Sequence, residues 1–559
     1  MFPQGREESS HCHQRGVNDL VELANEMNAG TSPNDESLSW VDTRARAFFE
    51  IFLILLLFFI HGAWPVPEVN EAHYLGKAKN YWNPEWCAKD FFCGTANAHP
   101  MFYWTFGWLT LWLPLPAVAW VGRLLTWSLL AWAWRRLSAA LAPERFAAVL
   151  SAGLFLALLH RGHLAGEWVV GGVEAKGFAF VLGLLGIEAV VRDRWNWAWL
   201  CFGAAAAFHV LVGGWLVVAA GIAWWILQWS GDETSRDVHP WALVAGGLLA
   251  LPGLIPAVML TRGVDPAVAS EAVRIYVHER LPHHLVPQTF PWYFLLRFAA
   301  MAALWLVIAW RIELDGAGRR LAAIVHGSLA IATAGLAIGF AAAIWPEQVD
   351  WLLRYYWFRT ADVLLPLGLG LALTMVVVRK LRQQRPAGIV WLTMGIFAVG
   401  GHLGTVLHER LALPIPPADR KMRNFSDWRQ TCVWVAARTP RDAVFLTPRL
   451  ASTFRWYTHR AEVVSWKDIP QDAVGIVEWW RRLCDVHHRV KRGPLVCWRS
   501  SLSEAPPEEL VRLAKEYDAQ YLITEALPPL PFELVSPPND SYAVYRLPKT
   551  WEARKPQAN

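Results

Sequence analysis

The sequence predicts a mainly α-helical, polytopic membrane protein with about eleven transmembrane helices and a small C-terminal α/β domain. Three observations predict this fold class. Near-continuous apolar runs of about 20 residues, the length that crosses a bilayer, recur between residues 43 and 412. Hydrophobic residues make up 54% of the chain and Trp occurs 35 times, as expected when many helices face lipid and its interfaces. From residue 413 the composition becomes that of a soluble domain.

The charge pattern gives the expected topology. Residues 1–42 lack apolar periodicity and are predicted to form a disordered cytoplasmic tail. The predicted spans are 47–64, 115–134, 146–159, 173–191, 197–211, 213–228, 241–260, 292–312, 321–344, 355–378 and 388–407. With this count, the loops rich in Arg and Lys all lie on the cytoplasmic side, as the positive-inside rule requires. The N-terminus is then inside and the C-terminal domain outside.

The C-terminal domain, 413–559, alternates between two kinds of pattern. Helical patterns cover 427–438, 473–490 and 507–517, and Ser426 is the expected N-cap of the first helix. Short apolar runs at 444–446, 462–464, 521–523 and 543–547 predict strands. Strands that alternate with helices predict a small α/β module.

The first outer loop, 65–100, is much longer than a connection between helices requires. It combines carboxylates, histidines and aromatic rings at the membrane surface. Glu71 and Asp90 are the candidate catalytic residues, because a carboxylate there can act as general base on a hydroxyl group. His73 and His99 are candidate substrate-binding residues.

Further candidates lie at the outer ends of later spans and in the second long outer loop, 261–291. Ionisable groups in such places are costly unless they face a wet cavity or one another. The additional candidate substrate-binding residues are Glu174, Lys176, His209, His283, His284 and Arg359. A structural alternative stays open for each, such as charge pairing at a span entrance or a hydrogen-bonded interfacial histidine.

These residue types together indicate transfer chemistry on a phosphate-bearing substrate. Arg and Lys can stabilise a departing phosphate, and aromatic rings can stack on a sugar. A divalent metal as cofactor stays an open alternative, because no spacing such as HExxH specifies a metal site. The net charge of +5 is small and its basic clusters act as topology signals, so no nucleic-acid partner is expected.

The acidic first outer loop (NEAHYLGKAKNYW, then DFF and HP), the many spans and the outer C-terminal domain resemble the GT-C class of integral membrane glycosyltransferases. The strings GGVEAKGFAF, HVLVGGW, RLPHHL, FRTADVLLPL and AKEYDAQYLIT are similar to bacterial DUF6798-type membrane proteins. The resemblance implies location in the bacterial cytoplasmic (inner) membrane. It also implies a polyprenyl-phosphate sugar donor and a lipid, glycan or protein acceptor. Glu71 is then the first choice of base and Asp90 the second, although the first-loop acid of that class is often Asp.

Two functions of other classes remain as alternatives. A transporter or flippase for a polar or lipid-linked solute is one, although transporters place charges near the bilayer midplane and show paired halves. Here the charges gather at the outer ends of spans and no paired halves are visible. A non-catalytic envelope assembly protein, whose outer domain binds cell-wall partners, is the other.

Overall fold

A computed structural model describes residues 33–230, 238–311, 314–492, 495–537 and 539–549, with the side chains of 33–42 and 489–496 left out. Of the predicted tail, 1–42, residues 1–32 lie outside this description, and the first helix begins within the remainder, at Pro33. The chain divides into two compact units, Met1–Leu53 and Ile54–Asn559. The larger unit contains all the later helices and the C-terminal sheet.

The part that precedes the C-terminal domain is helical. Its helices are α1 (Pro33–Gly62), α2 (Glu71–Trp82), α3 (Pro100–Thr105), α4 (Leu115–Leu141), α5 (Ala147–Gly162), α6 (Ala175–Val191), α7 (Trp195–Phe208), α8 (Val210–Trp229), α9 (Pro240–Met259), α10 (Pro266–Arg274), α11 (Pro282–Leu285), α12 (Trp292–Arg311), α13 (Gly316–Ile344), α14 (Pro346–Leu353), α15 (Arg359–Arg382) and α16 (Pro386–Ala412).

Eight helices in the described part of the chain are long and apolar enough to cross a membrane: α1 from Thr43 onward, α4, α8, α9, α12, α13, α15 and α16. This is the architecture of a multi-pass membrane protein. The other three predicted spans are also helical, in α5, α6 and α7, but these helices have only 16, 17 and 14 residues. Since a bilayer core requires about 20 residues of helix, the predicted count of eleven crossings is not confirmed.

Helices α7 and α8 meet at a sharp corner made by His209 alone. The backbone of His209 is extended, with φ −148° and ψ 102°. A Cβ atom on Gly213 would lie 2.1 Å from the amide nitrogen of Ala206, so the two helices can approach this closely only because glycine stands there. The corner holds the His209 imidazole at the ends of both helices.

The first long loop is folded onto the helices. Leu75 and Ala78 of α2 and Phe102 of α3 are fully buried, and they share an apolar cluster with Val173 at the start of α6. This packing follows from the spacing of the two α2 residues, which places them on one helical face.

The second long loop, between α9 and α12, contains a π-helical turn at Ile275–Arg280 between α10 and α11, and a 3₁₀ turn at Pro287–Thr289. Turns of the π type occur mostly as single turns and often at functional sites. Arg280 is the last residue of the turn and is 8% exposed.

The C-terminal domain is a small mixed sheet with helices packed against it. Its elements are α17 (Phe425–Arg438), β1 (Val444–Leu446), α18 (Phe454–Thr458), β2 (Ala461–Glu462), α19 (Ala473–His487), β3 (Arg489–Arg492), β4 (Leu495–Trp498), α20 (Pro507–Glu516), β5 (Tyr521–Glu525), β6 (Glu533–Leu534) and β7 (Tyr542–Arg546). The main sheet has the order β2-β1-β5-β7-β6, and β3 and β4 form a separate antiparallel pair. Strand β1 is parallel to β2 and β5, whereas β7 is antiparallel to β5 and β6.

The predicted helices and strands of this domain are present within a few residues of their expected ends, but the expected cap is wrong. Asn424, and not Ser426, is the N-cap of α17, since its side-chain oxygen accepts the Asp427 N–H at 3.2 Å. Ser426 already lies in the first turn of the helix. The strands β3, β4 and β6 were not predicted. The sequences of β3 (RVKR) and β6 (EL) contain too few apolar residues to indicate a strand, whereas β4 (LVCW) is an apolar run like those of the predicted strands.

Candidate functional site

A cavity of about 1050 Å³ lies between the ends of several helices and the C-terminal domain. Its wall is built by the first long loop, the segment between α5 and α6, the α7–α8 corner, the second long loop, the α14–α15 region and the segment after β2. Seven of the sequence-predicted site residues line it: His73, His99, Glu174, Lys176, His209, His284 and Arg359. Residues from distant parts of the sequence therefore converge on one chamber.

A chain of ion pairs runs along one wall of the cavity. Arg359 Nε lies 2.7 Å from Glu167 Oε2, and Lys176 Nζ lies 2.7 Å from the other oxygen of Glu167. Lys176 also lies 3.1 Å from Glu174 Oε1. Burial alone would raise the pKa of Glu167, but the Arg359 and Lys176 cations hold it below its ordinary value.

The ion-pair chain continues into the C-terminal domain through Asn70. Asn70 donates from Nδ2 to Glu174 Oε2 at 2.9 Å, and its Oδ1 accepts from Lys467 Nζ at 2.6 Å. Burial, reinforced by the nearby Arg280 cation, lowers the pKa of Lys467 to about 8. Arg280 donates from Nε to the carbonyl oxygen of Trp466 at 3.1 Å. Lys467 and Arg280 thus lie close together in the wall.

Three further histidines line the cavity. The rings of His99 and His209 stack with 5.5 Å between centroids, and Arg359 Nη1 lies 3.2 Å from His209 Nε2. Burial, together with the nearby His73, lowers the pKa of His99 to about 4. His284 donates from Nδ1 to the carbonyl oxygen of Ala165. The environments of His99 and His284 disfavour the charged imidazolium.

His73 has a different kind of partner. Its Nδ1 lies 3.0 Å from Asp468 Oδ1, in the segment after β2. Asp468 in turn accepts from Arg455 Nη2 at 2.5 Å and from Ser465 Oγ at 2.8 Å. The C-terminal domain therefore supplies a carboxylate to a histidine of the first loop.

Glu71 does not line the cavity. Its carboxylate is fully buried and receives two hydrogen bonds from Arg123, at 2.7 and 2.6 Å. The backbone N–H groups of Glu68 and Val173 also donate to it, at 2.8 and 2.9 Å. A carboxylate held by four donors has little capacity left for a substrate hydroxyl. This position favours a structural role over the predicted catalytic one.

Asp90 is likewise enclosed and lies outside the cavity wall. Arg455 Nη1 and the N–H of Cys93 donate to its Oδ1, both at 2.9 Å, and the N–H of Glu462 donates to its Oδ2 at 2.9 Å. Asp90 therefore joins the first loop to the C-terminal domain. The ring of His283 lies 4.1 Å from that of His284, between centroids, and is tilted by 42° against it, but His283 is not part of the wall.

The C-terminal domain contributes residues that the sequence did not predict as part of the site. Lys467 and Asp468 line or support the cavity, and neither was among the candidates. The available signal was local: the string SWKDIP places a cation and an acid directly after a strand, where side chains at a sheet edge reach neighbouring elements. Nothing in that string alone indicates which loop they meet.

The described residues contain no group of three or more His, Cys, Asp or Glu side chains arranged to hold a metal ion.

One segment of the chain matches a known protein family. Residues 426–486 match the family model of DUF6798, a domain of unknown function. The match confirms the DUF6798 resemblance for this segment, although the strings that suggested it lie elsewhere in the chain. No curated protein matches the chain.

The DUF6798 segment extends from α17 to α19 and includes the residues that the C-terminal domain contributes to the cavity, Lys467 and Asp468. It also includes Arg455, which holds Asp468 and Asp90. The part of the DUF6798 segment between β2 and α19 is thus the part that meets the first long loop. The family description names no activity.

Proposed function

We propose that this protein is a membrane glycosyltransferase that moves a sugar from a polyprenyl-phosphate donor to an acceptor. In this proposal all eleven predicted segments cross the bacterial cytoplasmic membrane, and the cavity opens at its outer face. The observation that carries the proposal is a pair of cations in the cavity wall, the buried Arg280 and the half-buried Lys467, which have no carboxylate partner among the described residues.

Two other cations of the cavity wall have carboxylate partners. Lys176 and Arg359 are neutralised by glutamates at 2.7 Å. Among the described residues, Arg280 and Lys467 form no ion pair with a carboxylate, and their hydrogen bonds go to a carbonyl and an amide oxygen. A buried cation without an anion is costly, so a bound anion would be strongly favoured here. The planar guanidinium of Arg suits phosphate in particular.

Another part of the cavity wall is apolar and belongs to a helix able to cross a membrane. Leu254 and Val258 of α9 line the cavity, and they are also 42% and 54% exposed. Because α9 is one of the helices able to cross a membrane, this wall continues onto a surface that hydrocarbon chains can follow. A substrate with a phosphate head and a lipid tail matches both walls at once.

Aromatic side chains in the cavity wall offer a surface on which a sugar ring can stack. Tyr74, Tyr276, Tyr356 and Trp168 line the cavity. Tyr276 and Tyr356 share a hydrogen bond of 3.1 Å between their hydroxyl groups. These side chains have apolar ring faces that can stack on a sugar ring and polar groups that can form hydrogen bonds with its hydroxyl groups.

The reaction in this proposal is a displacement at the anomeric carbon. The acceptor hydroxyl oxygen forms the new bond to that carbon, and the bond to the phosphate oxygen breaks. The phosphate leaves with the electron pair, and its growing negative charge is stabilised by Arg280 and Lys467. The acceptor proton needs a base, and neither Glu71 nor Asp90 lines the cavity.

The test uses the full chain in lipid nanodiscs with a panel of radiolabelled polyprenyl-phosphate sugars and, separately, sugar-free polyprenyl phosphate. We expect sugar transfer with one donor and binding of the phosphate. Arg280→Gln and Lys467→Met should each weaken phosphate binding by about 10-fold, the loss of one charge-assisted contact. Arg512→Gln, which removes an exposed ion pair with Asp485 in the C-terminal domain, is the control and should bind as the wild type does.

Two results would count against the proposal. Equal phosphate binding by the wild type and both cavity variants would remove the anion site. Uptake of a lipid-linked solute into vesicles without a transfer product would instead favour the transporter alternative.

A further inference from the structure

His73 and Asp468 form a pair whose geometry is that of an oriented histidine base. His73 belongs to α2 and its ring is part of the cavity wall. Its Nδ1 is bound to Asp468 Oδ1 at 3.0 Å. Because one ring nitrogen is occupied in this way, Nε2 is the nitrogen left for a molecule in the cavity.

The carboxylate that orients His73 is itself held firmly. Oδ2 of Asp468 accepts from Arg455 and Ser465, and Arg455 is fixed in turn by Asp90 at 2.9 Å. Burial opposes the charge of Asp468, but Arg455 and His73 hold its pKa well below the ordinary value. An ionised carboxylate can only accept, so the proton of a neutral His73 lies on Nδ1. The lone pair is then on Nε2.

The charge state of His73 suits a base. Burial lowers its pKa below the ordinary value of 6.5, while Asp468 acts in the opposite direction and the Lys467 and Arg455 cations add to the lowering. The imidazole is therefore neutral at neutral pH. A neutral imidazole with a lone pair toward the cavity can take a proton from a hydroxyl group.

We propose that His73, oriented by Asp468, is the general base that removes the proton from the acceptor hydroxyl. This inference rests on the proposed function and replaces Glu71 and Asp90 in the catalytic role. As the acceptor oxygen bonds to the anomeric carbon, its proton moves to Nε2 and gives an imidazolium. The imidazolium is stabilised by Asp468 and later returns the proton to water or to the released phosphate. Asp468 is a positioning residue, since it touches the substrate only through His73.

The other histidines of the cavity lack this arrangement. His99 contacts the hydroxyl of Tyr74 at 3.4 Å, His209 faces Arg359, and His284 is bound to a backbone carbonyl. Within the described residues, His278 and Asp350 form a comparable pair at 2.6 Å. Asp350 lines the cavity but the His278 ring does not, so His278→Ala is a control that removes a histidine–aspartate pair without removing a ring from the wall.

The first test measures turnover and donor binding separately. His73→Ala should reduce sugar transfer by about 10²- to 10⁴-fold, the usual contribution of a general base, while polyprenyl-phosphate binding stays unchanged. Added imidazole should restore part of the activity of His73→Ala, because the cavity has room for it. His278→Ala should transfer at the wild-type rate. Asp468→Asn should lower turnover without changing donor binding, because the amide reverses the preferred ring tautomer.

The second test does not depend on activity. Diethyl pyrocarbonate acylates neutral, accessible imidazole, and mass spectrometry of the wild type at neutral pH should find His73 modified. An unmodified His73, with His278 modified in the same sample, would overturn the assignment of Nε2 to the cavity.

The failures of the two proposals differ. If the wild type transfers sugar and His73→Ala transfers equally well, His73 is not the base although the proposed function stands. If no donor is bound or used by the wild type, the proposed function fails and this role fails with it.

Discussion

Glu71 and Arg123 form a two-point ion pair, with Nε on Oε1 at 2.7 Å and Nη2 on Oε2 at 2.6 Å, and both side chains are fully buried. Arg123 also donates from Nη1 to the carbonyl oxygen of Trp64 at 2.5 Å. The pair therefore ties α2 to α4 and to the end of α1.

Replacing one partner of this ion pair should destabilise the protein more than replacing both. Arg123→Met leaves the Glu71 carboxylate buried without its cation, so we expect a loss of about 3–5 kcal/mol in the free energy of unfolding. The double variant Arg123→Met with Glu71→Gln should recover part of that loss, since no charge is left uncompensated. Thermal unfolding in detergent measures the stability of the single and double variants. A double variant whose loss equals the sum of the losses of Arg123→Met alone and Glu71→Gln alone would contradict the prediction.

The link between the first loop and the C-terminal domain should depend on Arg455. Arg455 is 4% exposed, and its two terminal nitrogens bind Asp90 and Asp468. Arg455→Met should increase amide hydrogen exchange both in the first loop around Asp90 and in the segment after β2, because two carboxylates lose their shared cation. Arg481→Gln removes an exposed ion pair with Glu478 and should leave exchange at both places as in the wild type. Exchange that rises only within the C-terminal domain would show that Arg455 does not join the two parts.

Phosphate binding should weaken at alkaline pH. The pKa of Lys467 is lowered to about 8 by burial and by Arg280, so the ammonium is lost as the pH rises through that value. If only the charged form binds, affinity for polyprenyl phosphate should fall roughly tenfold between pH 7 and pH 9. Lys467→Met should bind weakly at both pH values. A wild-type affinity that stays constant over this interval would exclude Lys467 from the phosphate contact.

The lowered pKa of Lys467 has the opposite effect on the stability of the ligand-free protein, which it raises with increasing pH. Between about pH 8 and the ordinary lysine pKa of 10.5, the unfolded chain binds more protons at this position than the folded chain does. The contribution of Lys467 to the free energy of unfolding of the ligand-free protein should therefore increase with pH over that interval. Comparing thermal unfolding of the wild type with that of Lys467→Met isolates this contribution, and a decrease would contradict the lowered pKa.

Two neighbouring glycines of α9 should respond in opposite directions to the same substitution. A Cβ atom on Gly246 would lie 2.6 Å from the carbonyl oxygen of Trp199, whereas one on Gly247 meets nothing within 4 Å. Gly246→Ala forces α7 and α9 apart and should cost about 1–3 kcal/mol. Gly247→Ala should be neutral or stabilising by up to about 1 kcal/mol, because alanine favours the helix. Thermal unfolding of the two variants under one condition tests the close approach of these helices.

The sequence by itself determined the helices and the types of residue at the site. Apolar runs of sufficient length are helical wherever they occur, because a backbone in lipid has to satisfy its own hydrogen bonds. The C-terminal elements followed from their local periodicity, which needs no knowledge of neighbours. Seven of the ten candidate residues line the cavity for a similar reason, since ionisable groups at the ends of apolar helices need a polar environment.

Only the tertiary structure decided which of these groups are left for chemistry. Glu71 and Glu174 are both acids near helix ends and look equivalent in the sequence, yet Glu71 is enclosed by Arg123 and Glu174 faces the cavity. The pairing of His73 with Asp468 joins residues from opposite ends of the chain, and no local pattern encodes such a contact. Local sequence fixes backbone conformation and residue type, whereas the partner of a charged side chain depends on how distant elements pack.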